Sequence, residues 1–128
     1  EREAGQRALL NLGHTYGHAL EAELGYGQWL HGEAVAAGMC MAADTAQRLG
    51  WLDADQCAHI ERIIAAANLP IAPPRELDSA RIRSLMARDK KVAAGTLRLV
   101  LMRDIGDAVV TRDYGDALDA TLKRYFAK

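Results

Sequence analysis

The run from His31 to Leu49 constrains the fold more than any other stretch. It begins Gly32-Glu-Ala-Val-Ala-Ala-Gly38-Met-Cys-Met-Ala-Ala43 and is rich in small apolar residues, with no proline. A helix that is apolar on most sides has to be buried, because no orientation leaves it a polar face for water. Small side chains also let neighbouring helices come close. The run therefore predicts a helix at the centre of a helical bundle, stopped by Gly50, with His31 at its N-terminus.

The other elements are read around that centre. Leu9 to about Leu24 carries an apolar stripe with imperfect 3.6-residue spacing. Gly13 and Gly17 lie inside it, each one residue before a histidine. Two glycines one turn apart weaken an exposed helix, so their presence predicts close approach of another backbone or of a ligand. Gly25-Tyr-Gly27 ends that helix. Asp53 predicts the N-cap of a third helix to about Asn68, with Ile60, Ile63 and Ile64 on one face. Leu69-Pro-Ile-Ala-Pro-Pro74 is an extended joint. Asp78 or Ser79 caps a fourth helix to about Arg88 that turns Ile82, Leu85 and Met86 inward.

Asp89-Lys90-Lys91 follows as a charged exit. The period then switches to two, with Leu97, Leu99 and Leu101 on one face. Ala108 to Thr111 pairs back across an Asp104-Ile-Gly-Asp107 turn. A last amphipathic helix from about Gly115 to Phe126 aligns Leu118, Leu122 and Phe126. The expected fold is mainly α: one multihelical domain over residues 1–128, with a small β-hairpin near residues 96–111.

Composition narrows the function classes. The formal net charge is −1 with acids and bases interspersed, which leaves no basic footprint for nucleic acid. No apolar run approaches the ~20 residues of a membrane span. Cys40 and Cys57 lack CxxC spacing and fall in apolar helical patterns, so they read as core residues of a reduced, cytoplasmic protein. The chain starts at Glu1 without a methionine and holds no Gly-rich phosphate loop after a strand, so it reads as a piece of a longer protein.

Three of the four histidines cluster early, His14, His18 and His31, each beside a glycine. His14 and His18 are one helical turn apart. Two imidazoles on one turn with a third from a neighbouring segment make a metal or acid–base candidate. The metalloprotease motif HExxH is excluded, since position 15 is Thr15 and not glutamate. Spacing alone points to His14 and His18 as a ligand pair, with His31 third. Glu21 and Glu33 read more readily as solvent-facing carboxylates than as partners of the imidazoles, and His59 as a surface histidine.

Arg2-Glu-Ala-Gly-Gln-Arg7-Ala-Leu-Leu-Asn11-Leu-Gly-His14-Thr-Tyr-Gly-His18-Ala-Leu-Glu21, continued by Gly25-Tyr-Gly-Gln-Trp-Leu-His31-Gly-Glu-Ala-Val-Ala-Ala-Gly38-Met, closely resembles the 3-dehydroquinate synthase family. The likeness resumes at Leu69-Pro70, at Met86-Ala-Arg88-Asp-Lys90-Lys91 and at Gly95-Thr-Leu-Arg-Leu-Val-Leu101. It is similar to the family's C-terminal helical domain throughout. The resemblance implies zinc, or Co2+ in its place, held by His14 and His31, with a glutamate ligand and the NAD-binding domain elsewhere in a longer enzyme. It moves His18 from metal to substrate, as a contact implicated in proton transfer. It implies substrate contacts from Arg7 and Asn11, placed with His14 on one helix face by their offsets, and from Lys90 or Lys91.

The implied substrate is a small sugar-acid phosphate and the implied assembly a homodimer. The chain alone is then expected to be inactive and to hold zinc weakly. Related sugar-phosphate cyclases, metal-dependent polyol dehydrogenases and a non-catalytic helical interaction domain are the alternatives.

Overall fold

The computed structural model describes residues 11–25, 28–88 and 97–128. Its elements are α1 (His14–Leu24), α2 (His31–Arg48), α3 (Ala54–Ala66), α4 (Ser79–Ala87), β1 (Leu99–Asp104), β2 (Asp107–Thr111) and α5 (Ala117–Tyr125). The fold is mainly α with a two-stranded antiparallel hairpin. Among the described residues, no helix is long and apolar enough to cross a membrane.

Helix α2 is the centre, as its composition predicts. It packs against α1, α3, α5 and β1. Ala34, Ala37, Met41 and Ala46 along it are fully buried. Gly50 stops the helix at a φ of 81°, with its N–H on the Gln47 carbonyl and that of Trp51 on Ala46. Cys40 lies in this core, where burial pushes its thiol up to about 12. A thiol so protonated is a small apolar filler and not a nucleophile. Cys57 is half-buried, its thiol directed to the Ala43 carbonyl.

The start of α1 differs from the periodic reading. The helix begins at His14 because Gly13 takes a φ of 81°, which an α-helix cannot continue through. Asn11 therefore sits in the preceding turn, where its carbonyl accepts the His14 N–H at 3.0 Å, and does not share a helix face with His14. Gly25 ends α1 at a φ of 79°.

Aspartates start α3 and α4. In α3 the Asp53 carboxylate accepts the Gln56 N–H at 2.8 Å while the Gln56 side-chain carbonyl accepts the Asp53 N–H at 2.9 Å. Two donors with no helical partner are thereby satisfied reciprocally. Asp53→Ala is expected to destabilise the protein by about 1 kcal/mol in urea unfolding, because only the cap is lost at an exposed site. Ile60 and Ile64 of α3 are buried, but Ile63 is 57% exposed. The inward stripe of this helix is narrower than the run of isoleucines suggests. In α4, Ile82 and Met86 are fully buried and Leu85 half-buried.

Strand β1 pairs with β2 from Leu99–Thr111 to Asp104–Asp107, with one irregularity between Met102 and Asp104. A bulge shifts the side-chain alternation there. Before it the ladder is regular, so Met102 faces the side opposite Leu101, where it and its partner Ala108 are buried as well. Helix α5 starts at Ala117, two residues later than its periodicity suggests, and buries Leu118, Leu122, Tyr125 and Phe126. The chain end is tied to the segment before α4, with Ser79 N–H on the Lys128 carbonyl and Ala127 N–H on that of Arg75.

A buried polar chain crosses this core. The Tyr16 hydroxyl of α1 lies 2.7 Å from Thr45 Oγ1 of α2, and Thr45 Oγ1 lies 2.7 Å from Thr121 Oγ1 of α5. Thr121 donates to Asp44 Oδ2 at 2.8 Å, and Asp44 also accepts from Arg48 at 2.8 Å and Arg124 at 2.5 Å. Burial alone would raise the Asp44 carboxyl. The hydrogen bonds from Arg48, Thr121 and Arg124 outweigh it and hold the group below the usual carboxylate range.

Candidate metal and substrate site

Three glycines make the site possible. A Cβ on Gly38 of α2 would collide with the Gly13 carbonyl oxygen and come within 2.9 Å of Gly17 N. A Cβ on Gly13 would meet Met39 N at 2.6 Å, and one on Gly17 would meet Ala34 O at 3.2 Å. The beginning of α1 thus lies backbone against backbone on α2. The close approach predicted from Gly13 and Gly17 is to protein backbone.

That contact brings His14 and His18 beside His31 at the N-terminus of α2. Ring centres are 5.5 Å apart for His14–His18, 5.5 Å for His14–His31 and 6.2 Å for His18–His31. His14 and His18 are half-buried and His31 is 58% exposed, so the cluster opens to the surface on the His31 side. Two imidazoles bound to one tetrahedral zinc at about 2.0–2.1 Å per nitrogen have ring centres roughly 5 Å apart, so the spacing fits a shared ion. Spacing does not separate the His14–His31 pair from the His14–His18 pair. Among the described residues, no three His, Cys, Asp or Glu side chains form a set able to hold a metal ion.

The two glutamates near the cluster act differently. Glu21 Oε1 accepts a hydrogen bond from His31 Nδ1 at 3.0 Å, and its side chain is only 17% exposed. The solvent-facing expectation for Glu21 is therefore wrong: the end of α1 lies against the first turn of α2 and encloses the carboxylate. Glu33 reaches back to accept the Leu30 N–H at 2.8 Å, closing the start of α2, whose N-cap Leu30 has no polar side chain of its own. His59 is exposed and apart from the cluster. Asn11 stands three residues before His14 in the turn that starts α1. Arg7, Lys90 and Lys91 lie outside the described residues.

Sequence comparison supplies the deciding observation. Residues 1–92 match the 3-dehydroquinate synthase C-terminal family. The chain belongs to that family. It is 57% identical over 125 residues to 3-dehydroquinate synthase of Nitrosococcus oceani, covering 97% of this chain and 35% of that protein. It is 52% identical over 127 residues to the chloroplastic 3-dehydroquinate synthase of Arabidopsis thaliana, covering 98% of this chain and 29% of that one. The chain spans about a third of the length of these relatives.

Among solved structures it resembles 2-epi-5-epi-valiolone synthase from Streptomyces hygroscopicus, determined with NAD+ and Zn2+ bound. The TM-score is 0.73 at 26% identity, over 91% of this chain and 33% of that one. A 2-deoxy-scyllo-inosose synthase bound to carbaglucose-6-phosphate, NAD+ and Co2+ shares the fold, with a TM-score of 0.67 at 23% identity over 85% of this chain and 34% of that one.

Proposed function

We propose that this chain is the metal- and substrate-binding helical part of a 3-dehydroquinate synthase. That enzyme converts 3-deoxy-D-arabino-heptulosonate 7-phosphate to 3-dehydroquinate and phosphate. The observation that carries the reading is the convergence of His14, His18 and His31 on one family-matched helix crossing. His14 and His31 are the metal ligands in this reading, with a third protein ligand and the NAD-binding domain supplied by a part of the enzyme beyond this chain. The identity of 57% to a 3-dehydroquinate synthase, against 26% to a valiolone synthase, favours this member of the cyclase group.

When bound, zinc would supply Lewis-acid polarisation of a substrate oxygen, and NAD would supply reversible hydride transfer. The chain's own residues bind the substrate and manage its protons. Arg7 offers a planar fork for a carboxylate or phosphate, and Lys90 or Lys91 a point charge for the same anion. Asn11, at the turn before α1, adds neutral donors and acceptors for hydroxyls. His18, its ring 5.5 Å from that of His14, is the residue that would hold or move a proton at a substrate oxygen as phosphate departs.

The enzyme is cytoplasmic and homodimeric in this reading; the free cysteines and the lack of a described membrane-length helix fit the location. The test places this chain in a full-length enzyme by exchanging it for the matching third of the Nitrosococcus oceani protein, with phosphate release as the readout. The chimera is expected to turn over and the chain alone not to. His14→Ala with His31→Ala is expected to lower turnover by at least about 10³-fold. His18→Ala is expected to cost about 10²–10⁴-fold with zinc retained. Full activity without His14 and His31 would favour a structural role for the histidines.

A further inference from the structure

An imidazole can bind a metal only through a nitrogen that carries a lone pair, and which nitrogen that is depends on where the proton sits. His31 lies in the first turn of α2, 58% exposed. Across the helix crossing, Glu21 Oε1 stands 3.0 Å from His31 Nδ1. A carboxylate accepts only, so this bond places the His31 proton on Nδ1 and leaves the lone pair on Nε2.

The position of Glu21 in the chain gives this contact its meaning. Glu21 follows His14 by seven residues and His18 by three, which are same-face offsets on α1. One face of α1 therefore carries both histidines and the carboxylate. The Gly13–Gly38 and Gly17–Gly38 approaches bring that face to the start of α2. Glu21 is mostly enclosed at 17% exposure, whereas an ordinary helix-surface glutamate would be hydrated and free to turn. Glu33, the other nearby carboxylate, is taken up by the Leu30 N–H.

We propose that Glu21 is a positioning residue for the metal site: it holds His31 as the Nδ1–H tautomer, so that Nε2 keeps the lone pair with which His31 would bind a metal ion. A carboxylate on the remote nitrogen also makes the ligating nitrogen a better donor. The inference rests on the assignment of His31 as a metal ligand made above, and its test separates the two.

The first measurement is the imidazole 15N shifts of His31 in the 128-residue chain, above the pH range in which histidine is protonated. His31 is expected as the Nδ1–H tautomer in the wild type. Glu21→Gln keeps an acceptor oxygen and should retain that tautomer, while Glu21→Ala should return His31 to the Nε2–H form usual in water. A wild-type His31 already in the Nε2–H form overturns the proposal. The second measurement is Co2+ titration of the full-length chimera, read by its visible absorption. Glu21→Ala is expected to weaken binding by about 10–100-fold, and Glu21→Gln by less.

Metal-free melting of Glu21→Ala should stay within about 2 °C of wild type, since the pair is partly exposed. A large loss of melting temperature with unchanged Co2+ affinity would make the contact merely structural and overturn the proposal. Unchanged Co2+ affinity in His31→Ala would instead overturn the ligand assignment itself, whatever the 15N shifts say about Glu21.

Discussion

Gly38→Ala is expected to lower the melting temperature by roughly 5–10 °C, corresponding to about 2 kcal/mol for a chain of this size. Two effects compete. Alanine is the better helix former, and in an exposed helix interior the exchange would gain about 1 kcal/mol. Here the new methyl collides with the Gly13 carbonyl oxygen and crowds Gly17 N, both backbone atoms with no rotamer to move aside. Relief requires α1 and α2 to separate, which opens the core around Tyr16, Leu20 and Ala37. Steric cost therefore outweighs propensity. The same separation moves His14 and His18 away from His31, so metal affinity in the chimera should fall together with stability. Gly32→Ala is the control, because a Cβ there meets nothing within 4 Å. Thermal melts followed by circular dichroism decide the matter: equal melting temperatures for the two variants would contradict the glycine crossing.

Asp44→Ala is expected to cost about 3 kcal/mol in urea unfolding, one of the largest effects of any single polar change in this chain. Asp44 is 5% exposed and joins α2 to α5 through Arg124 and Thr121. Removing it strands the hydroxyl of Thr121, which is wholly buried, with one partner fewer. Arg124 and Arg48 are about half and one-third exposed at their side chains, so both recover hydration. That recovery keeps the loss below that of a fully enclosed ion pair. The Asp44 carboxyl is depressed in the folded protein, so the unfolded chain takes up its proton first as the solution is acidified. Its stabilising contribution is complete above the ordinary carboxylate value of about 4 and is lost as the pH falls through the lower folded value. Asp44→Asn should remove that portion of the acid sensitivity. An identical loss of stability between pH 5 and pH 2 in wild type and Asp44→Asn would contradict the network.

Some of this was legible locally. The alanine-rich run His31–Leu49 could only be a buried helix, and α2 is the central helix. Asp53 and Asp78 announced caps because a short oxygen-bearing side chain satisfies the first free N–H groups of a helix. The period of two at Leu97, Leu99 and Leu101 marked the buried face of the hairpin. At the beginning of α1 apolar periodicity runs through Gly13, and only the backbone angle there shows where the helix starts. Asp44 carries its own signal, since a carboxylate inside a largely apolar helix is a sign that a buried cation or donor faces it.

By itself, the sequence determined the elements, the central helix, the family and the three histidines as the place to look, because these depend on residue types at short spacing. Tertiary structure decided the rest. It showed that Gly38 admits the Gly13 turn, that Glu21 holds His31 from a different helix, and that Asp44 gathers Arg48, Thr121 and Arg124. Glu21 and His31 are ten residues apart, and Asp44 and Arg124 eighty. Such pairs meet where two helices cross, and the crossing is set by the side chains absent from the contact: here, three glycines.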